Sequence, residues 1–377
     1  MINSKIPILS CFSGGGFLDM GFEIAGFSIV WTNEIEPSFS TFYSEGITSW
    51  KKNKEAINNE IKCTISNNYS IKDVTQETVI DEAFGGEKPD VFGMIGGPPC
   101  QDFSINGNLN GFKGDRGSLT DTYLYKVLEL QPSFFVMENV TGLIKVKKHG
   151  KHFFELLKAM ADDYLIDWDV LNSLEFGVPQ SRERIFVIGL NKKQFQLDSI
   201  KLNIKGQWFP FRENAIYQNP QTYYKWPQPN AFGNSVSKSN DIPLQLCLDS
   251  CLVPYNEEQN IPNADEYFNL TGDKERFKQI KEGETNRPSF KRLHRFKYSP
   301  TACYGNNEVH LHPYYNRRLS VREALRIQGV DDSYVLSTKG QLSKKFKMIG
   351  NGVPVPLAAA VAKTLRDFIN KLKLITG

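Results

Sequence analysis

The sequence predicts a doubly wound α/β protein built on a parallel sheet, followed by an irregular second domain. Two observations lead there. In the first half, short apolar runs of strand length alternate with longer amphipathic segments, the order expected of repeated β-α-β units. Beyond about Asn191 the alternation gives way to Asn, Gln, Pro and aromatic residues, among them Trp208, Phe209, Tyr223, Tyr224 and Trp226. With 377 residues, 40% hydrophobic and 23% charged, the chain is long enough for a large core, in two domains or in one with a large insertion.

Strands are expected at 6–12, 28–33, 69–73, 91–95, 133–138, 166–171 and 185–190, and helices between them at 18–25, 37–46, 76–84, 118–130 and 151–164. The strand at 91–95 ends abruptly in Gly96-Gly97-Pro98-Pro99, a stiff turn. A helix at 320–328 follows the irregular region. The chain then runs through Met348-Ile349-Gly350-Asn351-Gly352-Val353-Pro354-Val355-Pro356 into an apolar helix reaching about Leu372, expected to return and pack on the sheet.

In such a sheet the chemistry collects at the carboxyl ends of the strands. After the first strand comes Phe12-Ser13-Gly14-Gly15-Gly16-Phe17, whose glycines let a ligand approach the backbone. The spacing differs from the dinucleotide pattern GxGxxG. Glu34 ends the second strand, where a carboxylate can accept both hydroxyls of a ribose, and Asp73 ends the expected third, where it can accept from an adenine amine. Helix capping is the alternative reading of either one. Together they favour a nucleoside cofactor.

Cys100 stands behind the two prolines, a fixed thiol, and the Gly-, Asn- and Ser-rich stretch from Gln101 to Gly117 reads as a lid beside it. Glu138 ends a strand of apolar side chains, which favour its neutral, proton-donating form. The alternative is a buried structural glutamate paired with Arg182 or Arg184, in Gln180-Ser181-Arg182-Glu183-Arg184-Ile185.

The net charge of +3 does not announce a nucleic-acid partner, but its distribution says more. Residues 285–307 contain no acidic side chain, while Arg287, Lys291, Arg292, Arg295 and Lys297 interleave with Phe290, Phe296 and Tyr298. This reads as a phosphate-facing surface, with a solvated basic face as the alternative. Basic runs at 145–152 and 339–347 add to the case for an anionic partner. The six cysteines (11, 63, 100, 247, 251 and 303) show no disulfide framework, and reduced thiols are expected. Cys247 and Cys251 are assigned to a helical core face rather than to zinc, and His310 and His312 to structural roles; no metal is expected. No apolar run approaches membrane-spanning length, and the start lacks the order of a secretory leader. The chain is read as cytoplasmic with no membrane partner.

In this order after the glycine turn, Pro98-Pro99-Cys100-Gln101, Glu138-Asn139-Val140 and Gln180-Ser181-Arg182-Glu183-Arg184-Ile185 closely resemble the cytosine-specific C5 DNA methyltransferases of bacterial restriction-modification systems. Asp115-Arg116-Gly117-Ser118-Leu119, Arg318-Leu319-Ser320-Val321-Arg322-Glu323-Ala324-Leu325 and Gly350-Asn351-Gly352-Val353 extend the resemblance, which spans residues 8–190 and 299–365. Two positions depart from it. Ser10-Cys11 stands where the family usually carries an acidic residue before the first strand's final pair, and Phe17 where it usually carries a second glycine. The unmatched stretch, 191–299, is where the family places its target recognition region.

The resemblance implies a Rossmann-like S-adenosylmethionine-dependent methyltransferase sheet with a smaller irregular target-recognition domain. It divides the chain into a catalytic and cofactor-binding domain at 1–192, a small domain at 193–338, and a segment at 339–377 returning to the first. It implies that Cys100 adds to C6 of a flipped-out cytosine, that Glu138 contacts N3 and the exocyclic amine, that Arg184 holds O2 and that Arg182 supports the pocket. S-adenosyl-L-methionine would meet Phe12, Gly14, Gly16, Glu34, Ile35, Asp73 and Asn351, with Phe12 and Ile35 flanking the adenine. Gln101, Ser104 and Asn106 fall in the loop that closes over the base, and Arg287, Lys291, Arg292 and Arg295 are the expected DNA contacts. The partners implied are double-stranded DNA and a companion restriction endonuclease held in no stable complex; the chain is expected to be a monomer. Three other readings stand beside this one: a transfer RNA cytosine-5 methyltransferase, a nucleotide-dependent oxidoreductase suggested by the glycine turn and Glu34 alone, and a catalytically silent DNA-binding relative.

Overall fold

The computed structural model describes residues 5–55, 62–99, 118–197, 208–302, 310–337 and 339–376. Its main sheet has six strands, β1 (Pro7–Cys11), β2 (Ser28–Asn33), β3 (Gly93–Gly96), β4 (Phe134–Val140), β5 (Tyr164–Asn172) and β6 (Glu183–Asn191), in the spatial order β2-β1-β3-β4-β6-β5. Successive side chains of a strand point to opposite faces, and β4 uses both. Phe134 and Val136 enter one core, while Phe135 and Met137 enter the other.

The first core is closed by α1 (Phe17–Ile24) and α11 (Val355–Thr376), with Leu18 and Phe22 facing Leu357, Val361, Leu365 and Ile369. The C-terminal helix thus returns to the sheet as expected. The second core takes α3 (Gln76–Phe84), α4 (Leu119–Leu130) and α6 (Lys147–Met160), which follows the single turn α5 (Gly142–Lys145), through Val79, Tyr123, Leu124, Val127, Phe153 and Leu157. Local signals set the starts of these helices. Ser118 and Asp121 form a capping box at the head of α4, and Thr75 accepts from the Thr78 amide at the head of α3, each satisfying amides that lack a helical partner.

A third cluster joins α2 (Pro37–Glu55) to α9 (Val321–Ile327) and α10 (Leu342–Asn351). The region between β6 and α9 holds the short helices α7 (Pro220–Tyr223) and α8 (Glu275–Lys278) and a two-stranded ladder, β7 (Lys291–Arg292) with β8 (His310–Leu311). It is irregular, as expected, but its beginning is not detached. Phe209 and Phe211 are buried in the first core, and Trp208 packs on Phe368 of α11 at 5.4 Å.

The sheet is mixed rather than purely parallel. β1, β2, β3 and β4 are parallel, but β6 runs antiparallel to both β4 and β5. The short link from β5 to β6, through a 3-10 turn at Ser173–Phe176, has no room for a crossover helix, so it makes a hairpin. The strand expected at 69–73 is absent: residues 71–73 form a turn, with the Asp73 amide donating to the Ser70 carbonyl at 2.8 Å. That stretch buries Ile71 and leaves Asp73 exposed, too little apolar surface to hold a sheet position. α2 runs past Gly46 instead of ending there. A Cβ on Gly46 would lie 2.0 Å from the Tyr334 ring, so this glycine permits close packing inside a helix rather than terminating it. α6 starts before residue 151 and stops at Met160, because Tyr164 already belongs to β5.

Contrary to the sequence expectation, one stretch, Leu342–Leu372, is long and apolar enough to cross a membrane by length and composition. Of its apolar 18-residue window 67% is buried inside the protein, and Gly352-Val353-Pro354 divide the stretch into α10 and α11. Cys247 and Cys251 do not share a helical face either. Cys247 precedes and Cys251 ends a 3-10 turn, Leu248–Cys251, and each enters a different cluster, Cys247 beside Leu174 and Trp226, Cys251 beside Leu293 and Leu319.

Candidate active site

Because β1, β3 and β4 are parallel neighbours, their carboxyl ends share one edge of the sheet. Arg184 comes to the same edge from the antiparallel β6, paired in register with Val140. The glycine turn, Glu34, the Gly97-Pro98-Pro99 segment that follows β3 and Glu138 all lie there. Arrangement follows directly from topology.

On the glycine-turn side, Phe12 leaves β1 in the left-handed region at φ 56°, followed by Gly14 at 55° and Gly16 at 80°. A bulky residue held there stores of order 1–2 kcal/mol of strain, and the surroundings must hold it. Glu34 supplies part of the grip: its Oε2 accepts from the Gly14 amide at 2.9 Å and its Oε1 from the Glu36 amide at 2.8 Å. Burial raises the Glu34 pKa against these two bonds. The carboxylate therefore braces the turn, while the adjacent Ile35 is 60% exposed. Asp73 is an exposed residue of its turn rather than a strand end, and Asn351 is exposed at the end of α10.

On the pocket side, Glu138 is 6% exposed and its Oε1 lies 3.0 Å from Nε of Arg184. The pairing anticipated as the structural alternative is thus present. Even so, the Glu138 pKa is raised, burial outweighing the opposing charges of Arg184 and Arg182. A Cβ on Gly97 would come 3.0 Å from Glu138 Oε2, so a larger residue before the prolines would press on the Glu138 carboxyl. Asn139 ties the two strand ends together, its amide nitrogen donating to the Pro98 carbonyl at 3.0 Å.

Arg182 is fully enclosed and donates to the carbonyls of Ala302 at 3.1 Å and Gly350 at 2.8 Å. Gln180 accepts from the Ala302 amide and donates to Gln328, which in turn donates to the Ile349 carbonyl. Two motifs distant in sequence are thereby locked into one wall. These supporting roles are not visible in the sequence, where Gln180 and Gln328 read as ordinary polar residues.

Cys100, Gln101, Ser104 and Asn106 lie outside the described residues, as do Asp115 to Gly117 and Cys303. Of the basic set, Arg287 is exposed and pairs with Glu284 at 2.7 Å, Lys291 is half-buried in β7, and Arg295 grips the buried Glu282 through two nitrogens at 2.8 and 2.7 Å. Arg292 contradicts the expectation of a phosphate contact. It is fully buried, donating to the carbonyls of Phe277, Ile280 and His312, with its pKa pushed down by burial to about 10. Lys345, from the run at 339–347, is likewise buried, bonded to Glu266 and the Ser337 carbonyl. His312 is enclosed beside Glu323 at 3.3 Å.

Sheet and site define the class, an α/β enzyme whose glycine turn, bracing carboxylate and acid–arginine pocket share one edge. The family model described as C-5 cytosine-specific DNA methylase matches residues 6–367, and the chain belongs to that family. It is a DNA (cytosine-5-)-methyltransferase of the type II restriction-modification kind. It is 37% identical over 373 residues to the Type II methyltransferase M.NmeDI of Neisseria meningitidis serogroup C, covering 97% of this chain and 84% of the relative. It is 30% identical over 373 residues to M.FnuDI of Fusobacterium nucleatum, covering 96% and 94%. Among solved structures, a DNA modification methyltransferase encoded within an E. coli prophage matches at a TM-score of 0.65 and 24% identity, covering 97% of this chain and 100% of that one. The S. pombe Dnmt2 methyltransferase matches at 0.59 and 15%, with the same coverage. At those identities the likeness speaks for the fold, the doubly wound methyltransferase sheet.

Proposed function

We propose that the chain methylates C5 of one cytosine in a specific short duplex DNA sequence, using S-adenosyl-L-methionine, through a covalent bond between Cys100 and C6. The observation that carries this reading is the shared edge: a glycine turn braced by Glu34, beside a buried Glu138–Arg184 pair set against the segment that leads to Cys100. The residues present fit the cofactor. Gly14 leaves open space beside the turn, Ile35 offers an exposed apolar face, and Glu34 is bonded to the Gly14 amide. In this reading Phe12 and Ile35 flank the adenine, Glu34 takes the ribose hydroxyls, Asp73 reaches the adenine amine from its turn, and Asn351 lies nearby. When bound, S-adenosyl-L-methionine supplies an electrophilic methyl group.

Cytosine C5 is a weak nucleophile until C6 is attacked. The Cys100 thiolate adds to C6, and Glu138 meets N3 and the exocyclic amine as charge develops at N3. Arg184 holds O2, with Arg182 behind it. Once C5 is methylated, a base takes the C5 proton and Cys100 leaves by elimination. An ordinary thiol of pKa ~8.5 is already a few per cent ionised at neutral pH, so the scheme needs no histidine. A base inside a duplex cannot reach this edge, so the cytosine flips out at a cost of a few kcal/mol. The loop carrying Gln101, Ser104 and Asn106 closes over it, and Arg287, Lys291 and Arg295 face phosphates.

The same reading assigns 1–192 to catalysis, 193–338 to target recognition and 339–377 to the returning segment. It takes the chain as a cytoplasmic monomer protecting DNA from a companion restriction endonuclease. The test is methylation sequencing of DNA from bacteria that lack other cytosine methylation and express either the wild-type chain or Cys100→Ser. 5-Methylcytosine confined to one short motif, and absent with the variant, is expected. Unaltered methylation by Cys100→Ser would overturn the covalent scheme, and methylation of RNA instead of DNA would overturn the substrate.

A further inference from the structure

Beneath the glycine turn lies a buried carboxylate that the chemistry above does not use. Asp19, in the first turn of α1, is 2% exposed. Its Oδ1 accepts from the Ser10 hydroxyl at 2.6 Å and its Oδ2 from the Tyr43 hydroxyl at 3.0 Å. Ser13, within the turn, donates to Ser10 Oγ at 3.1 Å and to the Ser10 carbonyl at 3.2 Å. Tyr43 reaches across from α2 and also packs on the turn, since a Cβ on Gly16 would lie 2.8 Å from its ring. One carboxylate therefore gathers β1, the turn, α1 and α2.

Among the described residues Asp19 has no ion-pair partner. The charged groups facing it are Glu23, on its own helix, and Lys51, on α2, which pair with each other at 2.6 Å. Cys11 faces it from β1 and Tyr43 from α2, and burial keeps both protonated. Burial likewise raises Asp19 from 3.8 to about 7; Ser10, Tyr43 and Lys51 oppose the rise and Glu23 adds to it. Protonation would change the local bonding. Ionised, Asp19 accepts from both hydroxyls; protonated, one of its oxygens carries a hydrogen, and the hydroxyl facing that oxygen must stop donating to it and accept instead. If that hydroxyl is Ser10's, its hydrogen swings away from Asp19 and disturbs the bond Ser13 makes to Ser10 Oγ, leaving the Ser10 carbonyl to orient Ser13.

We propose that Asp19 is a positioning residue that holds the glycine turn for the cationic methyl donor, and that its carboxylate must be ionised to do so. The proposal rests on S-adenosyl-L-methionine binding at that turn. The donor carries a sulfonium and an ammonium group, so a negative charge under the turn also favours it over an uncharged ligand, by Coulomb attraction in a poorly solvated site.

The test is calorimetric titration of S-adenosyl-L-methionine into the full-length wild type, Asp19→Asn and Ser10→Ala at pH 6 and pH 8, with thermal unfolding recorded alongside. A group titrating near 7 is protonated in about ten molecules of eleven at pH 6, so wild-type affinity is expected to fall about tenfold from pH 8 to pH 6. The donor's own amino group titrates in this window too, but alike for every variant. Asp19→Asn is expected to bind more weakly at pH 8 and to lack the carboxylate-dependent step. Equal affinity and an equal pH profile in a folded Asp19→Asn protein would overturn the proposal and leave the cofactor reading standing. Should Asp19→Asn fail to fold, Ser10→Ala decides: weaker binding supports the proposal and unchanged affinity overturns it. Absence of wild-type binding at either pH would overturn the cofactor reading, and the proposal with it.

Discussion

Glu138 is held between opposed influences. Burial favours its neutral form, the guanidinium groups of Arg184 and Arg182 favour its anion, and burial prevails. A carboxyl that keeps its proton to higher pH than an exposed glutamate can give it up where cytosine N3 gathers charge. The sign follows: activity that needs the proton is present below the raised pKa and is lost as pH rises through it. Glu138→Gln keeps the shape of the side chain and a hydrogen-bond donor but cannot transfer a proton. Its kcat is expected to fall by roughly 10²- to 10⁴-fold, with cofactor affinity unchanged. Single-turnover methyl transfer and calorimetry measure the two quantities. A rate within a few-fold of wild type would reduce Glu138 to a structural partner of Arg184.

At the scale of the element, the contact between α1 and α11 is set by a missing side chain. A Cβ on Gly21 would lie 2.4 Å from Cβ of Ala358 and 2.7 Å from the Ala359 amide nitrogen, and backbone cannot yield as a flexible side chain would. Gly21→Ala is expected to cost about 1–3 kcal/mol by overpacking, read as a lower urea midpoint at unchanged slope. An unshifted midpoint would mean that the helices separate at no cost. Such contacts mark the limit of sequence reading. β4 is legible because both its faces are buried, leaving Phe-Phe-Val-Met as an unbroken apolar run. The direction of β6 is not, because a periodic pattern carries no polarity. Gly46 resembles a helix end by residue type, yet only the Tyr334 ring explains it. In the site, Glu34 and Glu138 stand out as carboxylates closing apolar strands. Asp19 reads as an ordinary acid in a helix's first turn, and Arg292 as one more cation in a basic stretch. What distinguishes them is burial, which the tertiary fold decides.

For the whole molecule, the question is whether the segment after Gly352 is an appendage or part of the fold. Leu357, Val361, Leu365 and Ile369 of α11 are fully buried, packed with Ile8, Ile95, Phe134 and Val136 of the sheet. Each such side chain is worth about 1.5–3 kcal/mol when buried, so the four together contribute about 6–12 kcal/mol, comparable with the 5–15 kcal/mol that holds a typical domain folded. The apolar character that lets Leu342–Leu372 pass as a membrane span by composition is the character needed to cover this face of the sheet. The wall behind Arg184 rests on α11 at one remove, since Gln180 donates to Gln328 and the amide of Val355, the first residue of α11, donates to the Gln328 carbonyl at 2.9 Å. A chain ending at Gly352 is therefore expected to lose cooperative unfolding and cofactor binding together, although every residue of the glycine turn and of the Glu138–Arg184 pair is retained. Near-ultraviolet circular dichroism during urea titration reads the first loss, and calorimetry with S-adenosyl-L-methionine the second. A truncated chain that unfolds cooperatively and binds the cofactor at wild-type strength would show that the sheet closes without α11, and that the apolar face of this helix serves something other than the core.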